Sequence, residues 1–301
     1  MICKEKIDIL LPTFNGEKYV KQLIISLLNQ TYNNIVIYVR DDKSIDSTVN
    51  IITELSKHDP RIIIINDNLG NLGLVANINN LLGHSDSDYI MYCDQDDVWF
   101  PNKVEILIKE LQSKENLLTK NTSLLIHSDC YVTDENLVVK GFFQGKRPYS
   151  YDLKNSLFKY YVQGASSIFN KSLKNEIYPF LDNVYIHDRY THLISEIIGK
   201  RFYISKPLMH YRQHSSNLIG SSTIYKKFLN SLNLKNLNYF VEKDRKLIET
   251  LYHKKFPEEK ILEAYLKITS LEYSKILKIK LLIEYNITMR LKEFILFLIK
   301  K

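Results

Sequence analysis

The chain has 301 residues, of which 45% are hydrophobic and 25% charged, and a formal net charge of +7. These proportions exclude disordered, collagen-like and disulfide-scaffold classes, and no uncharged apolar run reaches the roughly eighteen residues of an evident spanning helix. Only nine glycines occur, and neither a G-x-G-x-x-G nor a G-x-x-x-x-G-K-[ST] phosphate loop is present.

Met1-Ile2-Cys3-Lys4-Glu5-Lys6 leads directly into an apolar run, so no secretory leader is expected. Ile7-Asp8-Ile9-Leu10-Leu11 predicts a strand stopped by Pro12, and apolar spacing over Tyr19 to Asn29 predicts a helix. Ile35 to Val39 is a second strand, followed by helical spacing over Ser47 to Leu55 behind a cap at Asp46. Ile62 to Ile65, a short helix over Ile78 to Leu82, and Tyr89 to Cys93 continue the alternation. Apolar strands separated by helices imply a mostly parallel sheet covered on both faces. Ligands of such sheets bind beyond the carboxyl ends of the strands. The segments there are Pro12-Thr13-Phe14-Asn15, Asp41-Asp42-Lys43-Ser44, Asn66-Asp67-Asn68 and Asp94-Gln95-Asp96-Asp97. Asp and Asn are ordinary turn formers, and Asp97 also reads as a helix cap. Two acidic turns on one edge nevertheless concentrate negative charge that a cation would relieve.

Beyond residue 120, Ser123 to His127 predicts a strand, Asp134-Glu135-Asn136 a turn, and Tyr160 to Phe169 a strand broken at Gly164. A strand glycine marks either a bulge or the close approach of another group. From Ile224 the chain reads as helical, interrupted at Phe256-Pro257. Cys3, Cys93 and Cys130, odd in number and widely spaced, read as reduced buried thiols. Ser221 to Lys301 holds 17 basic and 9 acidic residues, so the C-terminal region carries +8 and the first 220 residues −1. That excess points to a polyanionic neighbour or to a solvated helical face.

Three motifs carry chemistry. Asp94-Gln95-Asp96 sets two carboxylates on a turn after a buried strand, hard ligands suited to Mg²⁺ or Mn²⁺ shared with a diphosphate. His187-Asp188 opens an amphipathic stretch, where Asp188 is either a dipole-stabilised first-turn acid or a general base. Tyr211-Arg212-Gln213-His214 offers an imidazole able to ligate metal and a guanidinium able to pair with phosphate.

In this order the motifs resemble family-2 glycosyltransferases, inverting enzymes of the GT-A fold that use nucleotide-diphospho-sugars. The resemblance covers about Lys6 to Gly220. It rests on Leu11-Pro12-Thr13-Phe14-Asn15-Gly16-Glu17-Lys18-Tyr19, Ser26-Leu27-Leu28-Asn29-Gln30-Thr31-Tyr32, Arg40-Asp41-Asp42-Lys43-Ser44-Ile45-Asp46, Asn71-Leu72-Gly73 and Asp94-Gln95-Asp96-Asp97-Val98-Trp99-Phe100-Pro101. His187-Asp188 and Tyr211-Arg212-Gln213-His214 look like the subgroup that includes bacterial rhamnosyltransferases. The resemblance implies donor contacts at Pro12, Thr13, Phe14, Asn15, Asp42, Asn71, Gly73, Asp94, Gln95, Gly164 and Arg212. Asp42 would accept the ring N–H of uracil or thymine. Asp96, Asp94 and His214 would hold Mn²⁺ or Mg²⁺, and Asp188 would be the catalytic base.

Five residues in three places depart from the family pattern. Phe14 stands where tyrosine is common, Lys43 and Ile45 replace Gly and Thr, and Arg189-Tyr190 replaces a tryptophan pair. The expected architecture is a GT-A domain over 1–220 followed by a basic helical region over 221–301. The expected activity is sugar transfer from a UDP or dTDP donor to a glycan or lipid-linked acceptor in bacterial surface polysaccharide synthesis. A donor-binding protein without turnover is the alternative. A cytoplasmic location is expected, with Leu277 to Lys301 either touching an anionic membrane surface or packing on its own domain or a second copy. No nucleic-acid module is recognisable.

Overall fold

A computed structural model describes residues 5–145, 152–159, 162–215, 234–270 and 272–287, the stretch 234–241 by its backbone alone. The N-terminal half alternates as the apolar runs require: β1 (Ile7–Thr13), α1 (Val20–Leu28), β2 (Ile35–Asp41), α2 (Thr48–His58), β3 (Ile62–Ile64), α3 (Leu74–His84) and β4 (Tyr89–Tyr92). Every residue of β1 and β4 is buried, the signature of strands covered on both faces. β1 pairs in parallel with β2 and β4, and β2 with β3. The N-cap of α2 is Ser47 where Asp46 was expected; Asp46 stands one residue earlier, its carboxylate accepting the Thr48 N–H at 3.0 Å.

The second half comprises β5 (Val98–Trp99), α4 (Lys103–Leu117), β6 (Leu124–Thr133), β7 (Val139–Phe142), α5 (Leu153–Ser156), β8 (Ser167–Asn170), α6 (Lys171–Ile177), α7 (His187–Ile198) and β9 (Lys200–Arg212). All nine described strands share one sheet, ordered β3-β2-β1-β4-β8-β6-β9-β5, with β7 on β6. The sheet is mixed where a mostly parallel one was expected. β8 runs antiparallel to both β4 and β6, β5 antiparallel to β9, and β7 antiparallel to β6. The physical reason is the route of the chain. It reaches the carboxyl edge of β4 at Gln163, makes a 3-10 turn over Gly164–Ser166, and runs back down as β8. The expected strand broken at Gly164 is therefore a turn followed by a strand; Tyr160 and Tyr161 lie outside the described residues.

Two apolar layers enclose the sheet. One packs Leu23 and Leu27 of α1 with Leu107 and Leu111 of α4 against Ile9 and Ile37. The other joins Leu81 of α3 and Tyr190, Leu193 and Ile194 of α7 to Leu10, Ile90 and Phe169. Three C-terminal helices, α8 (Leu234–Lys254), α9 (Lys260–Thr269) and α10 (Lys275–Glu284), extend this second layer through Leu247, Leu251, Leu262, Ile268 and Leu281. Full burial of such a side chain contributes about 1.5–3 kcal/mol, so these helices are stabilised by the same core as the sheet. The expected boundary at residue 220 falls outside the described residues. Cys93 and Cys130 are buried free thiols, pushed up in pKa by burial, and Cys3 lies outside the described residues. Among those residues no helix is long and apolar enough to cross a membrane.

Candidate active site

The loops that follow β1, β2 and β4 are stitched together at the carboxyl edge of the sheet. The Phe14 N–H donates to Gln95 Oε1, and Gln95 Nε2 donates to the Phe14 carbonyl, both at 2.9 Å. The Asn15 N–H donates to Ser44 Oγ at 2.8 Å, and Asn15 Oδ1 accepts the Ile45 N–H at 3.0 Å. Gln95 thus fixes the first loop against the acidic turn. Pro12 and Thr13 are buried, with Thr13 Oγ1 donating to Asp41 at 2.9 Å. Phe14 is 47% exposed and offers an open aromatic face.

Asp42 is buried and organises the loop before α3. Its Oδ1 accepts from Arg40 Nη1 at 2.9 Å and from the Leu72 N–H at 2.7 Å; its Oδ2 accepts the Gly73 N–H at 2.7 Å. Asn71 Nδ2 donates to the Asp42 carbonyl at 2.8 Å. The three residues expected at the nucleotide therefore form one unit. Gly73 has φ +76°, a left-handed conformation natural to glycine. Lys43 adopts φ +69°, which explains why glycine is usual at this position. A lysine there costs about 1 kcal/mol.

Asp94, Asp96 and Asp97 crowd the end of β4. Burial, with the charges of Asp96 and Asp188 close by, pushes the Asp94 carboxyl up to about 7. Asp96 Oδ2 lies 2.8 Å from His214 Nε2, and the His214 ring sits against Tyr19 at 4.8 Å. β9 makes this meeting possible. It pairs His210 with Val98, carrying the residues after it back to the acidic turn. Asp97 is not a helix cap: it is fully buried, and its Oδ1 accepts the Arg212 N–H at 3.1 Å.

Arg212 also differs from expectation. It is 3% exposed, and its guanidinium donates to the carbonyls of Asp96 and Glu135 and to Gln22 Oε1. It braces the acidic turn from behind and presents no open face to a phosphate.

Asp188 lies in the first turn of α7. Its Oδ2 accepts the Gly164 N–H at 3.1 Å and its Oδ1 the Arg189 N–H at 2.7 Å. Gly164 is required by proximity, because a Cβ there would stand 3.0 Å from Asp188 Cβ and 3.1 Å from His187 Nε2. The neighbouring Gln163 donates from Nε2 to Asp94 Oδ2 at 2.8 Å. One dipeptide thus ties the acidic turn to Asp188.

The sequence reading missed Gln163 and Lys103. Lys103 is wholly buried, its ammonium 3.2 Å from the Trp99 ring centre and donating to the Ala165 carbonyl beside Gly164. Burial pushes its pKa down to about 7. The signal was available: Lys103, Leu107 and Leu111 recur at helical spacing, which puts the lysine on the apolar face. Gln163 had no such signal.

Residues 8–123 match the model of Glycosyl transferase family 2. The chain is 27% identical over 261 residues to dTDP-rhamnosyl transferase RfbG of Shigella flexneri, across 84% of this chain and 89% of that protein. It is 29% identical over 238 residues to GalNAc(5)-diNAcBac-PP-undecaprenol beta-1,3-glucosyltransferase of Campylobacter jejuni, across 76% of this chain and 72% of that one. Among solved structures it resembles S. aureus TarS 1-349 in complex with UDP-GlcNAc, with a TM-score of 0.59 at 17% identity, covering 97% of this chain and 78% of that one. Mannosyltransferase PcManGT from Pyrobaculum calidifontis, in complex with GDP-Man and Mn²⁺, gives 0.55 at 13% identity, with coverage of 97% and 78%. At those identities the likeness is one of fold. The family-model match over residues 8–123, the related glycosyltransferases and the mixed sheet with its acidic edge together identify a glycosyltransferase on a GT-A-like fold, similar to family 2 over that segment.

Proposed function

We propose that the chain transfers a sugar, with inversion, from a pyrimidine nucleotide-diphospho-sugar to a hydroxyl of a glycan or lipid-linked acceptor in bacterial surface polysaccharide synthesis. The observation that carries the reading is the Gln163-Gly164 strut, which holds Asp94 and Asp188 within one small space. The donor is dTDP-rhamnose or a UDP-hexose. RfbG is named for the first, and Asp42 Oδ2 carries one hydrogen bond, leaving a lone pair for a uracil or thymine ring N–H. Phe14 would stack on that base.

Each Asp188 oxygen keeps a lone pair beyond its backbone N–H bond, so the carboxylate is oriented and still able to accept a proton. It deprotonates the acceptor hydroxyl, which attacks the anomeric carbon on the face opposite the diphosphate, through an oxocarbenium-like transition state. Asp96 and His214, 2.8 Å apart with Asp94 nearby, fit two ligands of a Mg²⁺ or Mn²⁺ whose other positions go to water and substrate oxygen. Such an ion, when bound, supplies charge neutralisation to the departing diphosphate.

Thermal shift with Mn²⁺ and a panel of donors tests the assignment. At about a hundred times Kd a ligand adds ~2.7 kcal/mol, a rise of about 5 °C or more for a chain of this size. We expect that rise with dTDP-rhamnose or a UDP-hexose and none with GDP-mannose. An equal rise with GDP-mannose, or none with any pyrimidine donor, removes the proposal.

A membrane surface is a further partner on this reading. On α10, Ile276 and Ile283 are 81% and 75% exposed and share a face with Ile279, flanked by the exposed Lys275 and Lys280. Apolar insertion beside lysines, each contributing about 1 kcal/mol near anionic lipid, suits an interfacial helix. Residues 288–301 of the expected membrane segment lie outside the described residues. Because Leu281, Leu282 and Ile287 pack in the core, truncation is a poor test. The paired Ile276→Glu and Ile283→Glu variant should lose flotation with phosphatidylglycerol vesicles; unchanged flotation refutes the surface.

A further inference from the structure

Arg189 follows the proposed base directly, and its guanidinium is fully engaged. Nε donates to Asp244 Oδ1 at 3.0 Å and Nη2 to Asp244 Oδ2 at 2.9 Å, a bidentate pair. Nη2 also donates to the Leu157 carbonyl at 2.8 Å, and Nη1 donates to the carbonyls of Ser156 and Lys159. All five donor positions are occupied. Asp244 is equally filled, since Tyr185 Oη donates to its Oδ1 at 3.0 Å and Tyr265 Oη to its Oδ2 at 3.1 Å. Arg189 is 3% exposed, so the pair is held away from water, where removing one partner is far more damaging than removing both.

The placement of these contacts gives them a consequence for the site. Arg189 grips the 156–159 segment, which lies five residues before Gly164 in sequence, and Gly164 donates to Asp188 Oδ2. Its own N–H donates to Asp188 Oδ1. Arg189 thus supports one Asp188 oxygen through its own N–H, while its guanidinium holds the segment that precedes Gly164 in sequence. That guanidinium is anchored by Asp244 of α8, which is in turn buttressed by Tyr265 of α9. We propose that the C-terminal helices are a working part of the active site, with Asp244 a positioning residue that acts on Asp188 through Arg189. The proposal rests on the reading of Asp188 as the base. The remoteness of α8 and α9 in sequence from the catalytic motifs conceals the connection.

Asp244→Asn in the full chain turns an amide N–H₂ toward the guanidinium and breaks one arm of the pair. Hydrogen exchange at the Gly164 and Arg189 amides should accelerate tenfold or more. With Mn²⁺, UDP-glucose and dTDP-rhamnose as donors and a bacterial lipid extract as acceptor, kcat should fall at least tenfold while donor KM stays within about twofold. The paired Arg189→Met and Asp244→Leu variant replaces the ion pair by apolar groups, so it should recover Tm yet keep both defects. Recovery of kcat and amide protection together with Tm would reduce the pair to a structural one and overturn the proposal. So would an Asp244→Asn variant unchanged in exchange and turnover. If that variant does not fold, Tyr265→Phe removes a single hydrogen bond to Asp244 and is read in the same way, faster exchange supporting the proposal and unchanged exchange refuting it. Asp188→Asn in the same assay separates the two readings. If Asp188→Asn keeps turnover, the assignment of the base fails; if it is dead and the Asp244 variants are not, only the present proposal fails.

Discussion

Asp188→Asn should lower kcat for sugar transfer by about a thousandfold, within the 10²–10⁴ range that a positioned general base contributes, while donor Kd changes by no more than about threefold. The two effects separate because, among the described residues, the Asp188 carboxylate accepts hydrogen bonds from the N–H groups of Gly164 and Arg189, whereas Phe14, Asp42 and the acidic turn frame the proposed donor site. The variant also carries a stability cost whose origin is visible. Both carboxylate oxygens accept a backbone N–H, and an asparagine supplies one oxygen and one N–H₂. One amide is then left facing a donor, at about 1–3 kcal/mol. A Tm lower by several degrees with unaltered donor binding by calorimetry is therefore part of the expectation. Lost donor binding with normal kcat at saturation would contradict the role of Asp188 as base.

The parts of this molecule that were readable from sequence are those whose cause is local. β1 and β4, buried at every residue, and β2, buried or half-buried along its length, announce themselves because strands covered on both faces are mostly apolar, and the loops behind them follow from the rule that parallel strands present one edge. Asp188 was readable as a helix-start acid, and the structure puts it in the first turn of α7. β9 was not readable. Lys200 to Arg212 mixes charged, aromatic and proline residues, and its register against β6 is interrupted on either side of Asp129. Without β9 the arrival of His214 at Asp96 had no local explanation.

The misreadings share a cause as well. Arg212 looks from sequence like a group aimed at a phosphate, and Arg189 shows only as a departure from the family pattern. Both are instead buried braces whose acceptors lie 30 or more residues away, at Gln22, Glu135 and Asp96 for one and at Ser156, Leu157, Lys159 and Asp244 for the other. A guanidinium carries five donors, so its role is set by which carbonyls the fold delivers. Gln163 shows the same limit in reverse: an unremarkable amide becomes a link between two acids because the chain turns at Gly164.

Asp96→Ala should reduce kcat by about a hundredfold or more and abolish the response to added Mn²⁺ or Mg²⁺, with a parallel loss of Mn²⁺ affinity by calorimetry. The backbone should survive the change, because the Asp96 carbonyl remains held by Arg212 Nε at 2.7 Å. The change removes the pairing with His214, made between side chains 14% and 13% exposed. Removing the carboxylate also relieves its repulsion on Asp94 and Asp97, both pushed up by Asp96 after burial, so Tm should hold steady or rise. That combination, lower activity with equal or higher stability, distinguishes a group retained for chemistry from one retained for folding. His214→Ala should be milder, about ten- to a hundredfold, because it leaves the carboxylate in place. Wild-type activity in full chelator would show that this acidic turn serves the donor by hydrogen bonding alone.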